Sequence, residues 1–157
     1  MQSLKKSTNF FSITSVDFFE NYNTNRLFKE RVDIFKRNIG KIKNKFKKNE
    51  LCIDLGCGPG FQTLMLAEEG FRVIGIDSSE EMLNCARKNT NHKEYGNKVE
   101  YRLENLRDLK SFKKTYNDSA GIIICSSVIE YFSNPQKILQ EIFDLLKIDG
   151  IALITFP

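Results

Sequence analysis

The chain has 157 residues, 41% hydrophobic and 28% charged, which suits one domain with a real core and excludes a disordered chain. The formal net charge of +4 is uneven: residues 1–49 carry 12 Lys+Arg against 4 Asp+Glu, and residues 50–157 carry 12 against 16. No apolar run has the length of a membrane span, and the basic, Ser/Asn-rich first residues lack the apolar centre of a signal peptide.

Residues 1–15 are polar and read as a loose arm. From Val16 to Phe46, apolar residues recur at helical spacing (Phe18, Tyr22, then Leu27, Phe28, Val32, Phe35, Ile39, Ile42, Phe46), which predicts one or two amphipathic helices. The lysines from Lys41 to Lys48 suit a helix C-terminus. A basic stretch of this kind can track nucleic acid or an anionic surface, but it reads more simply as a solvated helix face.

Glu50–Leu55 is a short apolar strand that runs into Gly56-Cys-Gly-Pro-Gly60, and a helix opens at Phe61 and closes at Gly70. Alternating glycines let the backbone approach a ligand closely, and the helix start offers it unpaired N–H groups. A second strand, Phe71–Ile76, ends at Asp77, 23 residues after Asp54. Strand, glycine turn, helix, strand and acid form the unit that binds an adenine nucleoside at the edge of a parallel sheet.

Ser78-Ser-Glu-Glu81 reads as a capping box that opens a helix with Met82, Leu83, Cys85 and Ala86. A polar loop with His92, the single histidine, leads to strand Val99–Leu103 and then Glu104-Asn105-Leu106. Residues 107–118 are a weak helix anchored by Leu109 and Phe112. Gly121–Cys125 is a continuous apolar run, hence a strand buried on both faces. Asn134-Pro135 marks a helix start, and that helix carries Ile138, Leu139, Ile142, Phe143, Leu145 and Leu146. Asp149-Gly150 turns the chain into a last strand, Ile151–Phe156. This alternation predicts an α/β fold: an open, Rossmann-like, mostly parallel sheet with helices on both faces. Cys52, Cys57, Cys85 and Cys125 form no C-x-x-C pair and read as free thiols, which points to the cytoplasm and to no metal site.

Four segments together resemble the class I S-adenosylmethionine-dependent methyltransferases. They are Asp54-Leu-Gly-Cys-Gly-Pro-Gly60, Gly75-Ile-Asp-Ser-Ser-Glu-Glu-Met82, Cys125-Ser-Ser-Val-Ile-Glu-Tyr131 and Leu145-Leu-Lys-Ile-Asp-Gly150. Their wording looks closest to the small-molecule branch, of methyltransferase-11/25 type. The resemblance implies S-adenosyl-L-methionine as cofactor and methyl transfer to a small-molecule acceptor. It places Gly56, Cys57, Gly58 and Gly60 along the methionine part of the cofactor, and has Asp54 hold the loop and the amino group. Asp77 would accept the ribose hydroxyls, Ser78 and Met82 would flank the adenine, and Asn105 and Leu106 would meet its edge. Ser126 would line the methionine end, and Glu130 and Tyr131 would stand as catalytic candidates where acceptor and sulfonium meet. A His-dependent base is not expected.

The resemblance also implies a division into residues 1–49, an arm and helices that act as lid or packing, and 50–157, the cofactor domain. The family's last two strands have no counterpart in the sequence, so the domain reads as C-terminally incomplete, and a homo- or hetero-oligomer could cover the exposed edge of the fifth strand. A non-catalytic methyltransferase-like subunit working with a partner chain is the alternative. A nicotinamide or flavin Rossmann domain fits less well, since Phe61 stands where G-x-G-x-x-G needs its third glycine. Nucleic acid as methyl acceptor fits poorly, because Cys125-Ser-Ser-Val128 is not the Asn/Asp-Pro-Pro-aromatic segment of base-amino methylases.

Overall fold

A computed structural model of the protein describes residues 26–90 and 92–155. The expected arm and the Phe18/Tyr22 helix lie outside the described residues. The elements are helix α1 (Arg26–Ile42), strand β1 (Leu51–Leu55), α2 (Phe61–Glu68), β2 (Arg72–Asp77), α3 (Glu80–Asn89) and the short α4 (His92–Tyr95). They continue with β3 (Val99–Leu103), α5 (Lys110–Tyr116), β4 (Ala120–Ser126), α6 (Pro135–Leu145) and β5 (Leu146–Thr155). The strands form one parallel sheet in the order β3-β2-β1-β4-β5.

The period of two along each strand divides the core between the two faces of the sheet. Cys52 of β1 and Ile122 and Ile124 of β4 pack with Leu66 and Ala67 of α2 and with Phe35 and Ile39 of α1. Their neighbours Ile53, Leu55, Ile123 and Cys125 face the other way, onto Phe112 of α5 and Ile138, Ile142 and Leu145 of α6. Residues 120–125 of β4 are buried without interruption, as a central parallel strand requires. Each fully buried Ile or Leu there contributes about 1.5–3 kcal/mol relative to exposure.

The start of α6 follows the sequence: Asn134 accepts from the Lys137 amide at 3.3 Å, with Pro135 as the first helical residue. At α3 the cap is one residue later than the four-residue pattern implies. Ser79 accepts from the Met82 amide at 3.3 Å, because the preceding Asp77 holds the Ser79 amide at 2.9 Å and fixes where the turn begins. The chain also joins the last strand earlier than expected. Leu146 already pairs with Ala120, and the register then jumps so that Ile122 faces Ile151. The irregular stretch between contains Asp149 at φ +63°, so the predicted turn at Asp149-Gly150 sits inside the strand as a bulge. Two apolar positions of α6, Leu139 and Phe143, are exposed, Phe143 to 72%.

The sheet order reverses between β1 and β4. At such a switch point the loops after the two strands run to opposite sides and leave a crevice at their carboxyl ends. α4, which opens at His92, lies between the end of α3 and the start of β3, at the opposite rim of the sheet from that crevice. Among the described residues no helix is long and apolar enough to cross a membrane.

Candidate functional site

The loop after β1 is held by the strand beside it. The amides of Gly56 and Cys57 both donate to the Ile76 carbonyl, at 2.8 and 3.0 Å. The Gly58 amide donates to Asp77 Oδ2 at 2.9 Å, while the Ser79 amide donates to Oδ1 at 2.9 Å. The loop follows this path with φ of +70° at Gly56, +51° at Gly58 and +87° at Gly60. A side chain at Gly56 would run into Val128, so the glycine is needed for both angle and space.

Beside this loop lies a cavity of about 290 Å³. Its walls include Gly56, Cys57, Gly58, Asp77, Ser78, Met82, Asn105, Leu106, Ser126, Glu130 and Tyr131, which the sequence places in four separate segments. The two remaining predicted residues, Asp54 and Gly60, lie beneath the wall rather than in it. Asp54 is 1% exposed and accepts a hydrogen bond from Thr63 Oγ1 at 2.7 Å, which ties the end of β1 to the first turn of α2. Gly60 backs onto the Tyr101 hydroxyl, which in turn lies 3.0 Å from Thr90 Oγ1.

Burial governs the ionisation of these acids. Desolvation raises Asp54 from 3.8 to about 7; the Thr63 hydrogen bond opposes this, and the nearby Asp77 charge adds to it. Asp77 is also raised by burial, against the backbone amides of Ser79, Gly58 and Ser78, which stabilise its charge. Burial likewise pushes the Cys57 thiol up, away from reactivity. The Tyr131 hydroxyl is raised by desolvation and by Glu130, with Arg31 pulling it back.

The cavity also takes residues that the sequence reading did not single out. Phe28 and Arg31 come from α1, with the Arg31 guanidinium 5.5 Å from the centre of the Phe28 ring. Arg107 donates to the Tyr131 carbonyl at 2.8 Å and lies 5.2 Å from the centre of the Phe132 ring, joining the loops after β3 and β4. Gln62, the second residue of α2, completes this group. The available signal was a polar residue in an apolar stripe: Arg31 stands one turn before Phe35, and Gln62 one turn before Leu66. Ser126 Oγ lies 3.2 Å from Thr155 Oγ1, and the Ser127 amide donates to the Thr155 carbonyl at 3.0 Å. Ser127 has φ +53°, a left-handed turn that sends Val128–Tyr131 back over the crevice.

The family described as "methyltransferase domain" matches residues 46–157, the span that holds every strand of the sheet and all of the cavity wall except Phe28 and Arg31. The chain belongs to the class I S-adenosylmethionine-dependent methyltransferase family. It is 34% identical over 112 residues to a ubiquinone biosynthesis O-methyltransferase of Rickettsia canadensis, covering 71% of this chain and 44% of that protein. Among solved structures it resembles an S-adenosyl-L-methionine-dependent methyltransferase of Methanococcus maripaludis, with a TM-score of 0.76 at 22% identity. That match covers 92% of this chain and 63% of the other. It also resembles a Haemonchus contortus phosphoethanolamine N-methyltransferase solved with phosphomonomethylethanolamine and S-adenosylhomocysteine. There the TM-score is 0.64 at 26% identity, over 77% of this chain and 27% of the other. The chain spans less than half the length of the curated relative.

Proposed function

We propose that this chain carries the cofactor site of an enzyme that transfers a methyl group from S-adenosyl-L-methionine to a small-molecule acceptor. The observation that supports this best is the cavity at the switch point, walled on one side by two glycines at positive φ, Gly56 and Gly58, and on another by Asp77. The Gly58 and Ser79 amides hold one Asp77 oxygen each, which fixes the carboxylate where its remaining acceptor capacity can meet two adjacent ribose hydroxyls. Met82, 2% exposed, and Leu106, 9% exposed, offer apolar surfaces to the adenine. Asn105 Oδ1 accepts the Arg107 amide at 3.0 Å, which fixes the turn that carries Leu106 and leaves the Asn105 side-chain amide to meet the adenine edge. Ser126, bonded to β5 through Thr155, lines the end nearest the glycine loop.

The bound cofactor supplies a methyl group on a positive sulfur, already open to in-line attack, so the residues need mainly to align an acceptor and exclude water. Phe28 and Arg31 of α1 line the same cavity as Tyr131 and Phe132 and act as its lid. Tyr131 keeps its proton at neutral pH and so orients an acceptor rather than deprotonating it; Glu130 is the base where a hydroxyl must lose its proton. The proposed division is an N-terminal segment, residues 1–49, whose helix α1 serves as lid and packing, and a cofactor domain in 50–157.

Isothermal titration distinguishes this reading from a nicotinamide-binding domain. S-adenosylhomocysteine is expected to bind one to one and NAD not to bind. NAD binding in its place would contradict the proposal.

A further inference from the structure

Gln62 is 3% exposed and lines the cavity, yet its amide nitrogen has no hydrogen-bond partner. One other buried polar side-chain atom among the described residues shares this lack, Glu141 Oε2, and it lies 2.8 Å from Lys113 Nζ, so it is paired by charge. A buried amide left without a partner destabilises the free protein, and such groups in native structures mark a place where something else supplies the bond. The helix geometry says where Gln62 lies. It shares a face of α2 with Leu66, and Leu66 packs with Phe35 and Ile39 of α1. Arg31 precedes Phe35 by one turn of α1, so the apolar seam between α1 and α2 ends, on the cavity side, in one neutral donor and one cation. The adjacent end of α2 is its N-terminus, the end that suits a negative group.

Resting on the reading above, we infer that Gln62 is a positioning residue that donates its side-chain amide to the carboxylate at the amino-acid end of the cofactor. The glycine loop that runs past Gly60 into α2 brings that end of the ligand to this seam, while Asp77 and Met82 hold the nucleoside at the other. Gln62 thus gives up some stability in the free protein and recovers it on binding. It sets where the sulfur, and with it the methyl group, stands relative to Tyr131.

The test compares two ligands that share adenine and ribose: S-adenosylhomocysteine, which has the amino-acid end, and 5′-methylthioadenosine, which lacks it. Gln62→Leu and Gln62→Met are each expected to weaken S-adenosylhomocysteine about tenfold, the order of one hydrogen bond to a charged group, and to leave 5′-methylthioadenosine within about twofold. The melting temperature of the ligand-free variants is expected to equal or exceed that of the parent. Equal losses for both ligands, no loss for either, or a marked fall in melting temperature would overturn the assignment. Failure of the parent chain itself to bind S-adenosylhomocysteine would instead remove the cofactor reading on which the assignment rests.

Discussion

Asp54 shows how one residue can serve the site without facing it. Its carboxyl is buried under the glycine loop and holds the first turn of α2 through Thr63, with its pKa raised to about 7. The unfolded chain releases this proton near 3.8, so between about pH 4 and pH 7 the folded state holds a proton that the unfolded state has lost. Over that window Asp54 subtracts stability as pH rises, and above it the penalty is constant. Asp54→Asn removes the penalty. The stability of the variant relative to the parent is therefore expected to rise by a few kcal/mol, in order of magnitude, from pH 4.5 to pH 8 in paired denaturant titrations. A difference that is flat with pH would mean that Asp54 is ionised in the fold. The glycines, Asp77 and the residues after β3 and β4 were legible in the sequence because strand ends and turns announce themselves locally. Gln62 and Arg31 were not, because their significance arises only when α1 packs on α2 and closes their shared seam over the cavity.

Among the elements, α1 is the one whose role the sequence left most open. Its lysine-rich surface reads as a solvated face, and of the predicted apolar stripe only Phe35 and Ile39 are buried, while Leu27 is 71% exposed. Those two residues nevertheless share a cluster with Ile122 and Ile124 of β4 and with Leu66 and Ala67 of α2. Phe35→Ala is expected to destabilise the whole chain by about 3–5 kcal/mol, in one cooperative unfolding transition. A loss below about 1 kcal/mol would make α1 a dispensable lid. Strand β5 marks where local reading stops: helix-like leucines ran on through Leu146, but pairing with Ala120 takes that residue into the sheet, and only the partner strand determines where the bulge falls.

At the scale of the molecule, the strand order and the split of the core between two faces follow from alternating strands and helices, which is why the fold could be read from the chain. The cavity follows from that order, since the reversal between β1 and β4 leaves room only at their carboxyl ends. The methyl acceptor was not legible, because the α1 side chains, Arg107 and Phe132 that border the cavity meet only through tertiary packing. The central claim is that the crevice holds an adenine nucleoside through Asp77, with the amino-acid end on the glycine loop. A crystal structure of the chain with S-adenosylhomocysteine tests it most directly. Both ribose hydroxyls are expected within about 3 Å of the two Asp77 oxygens, with adenine between Met82 and Leu106. A nucleoside bound elsewhere, or one in the crevice with its ribose turned away from Asp77, would contradict it.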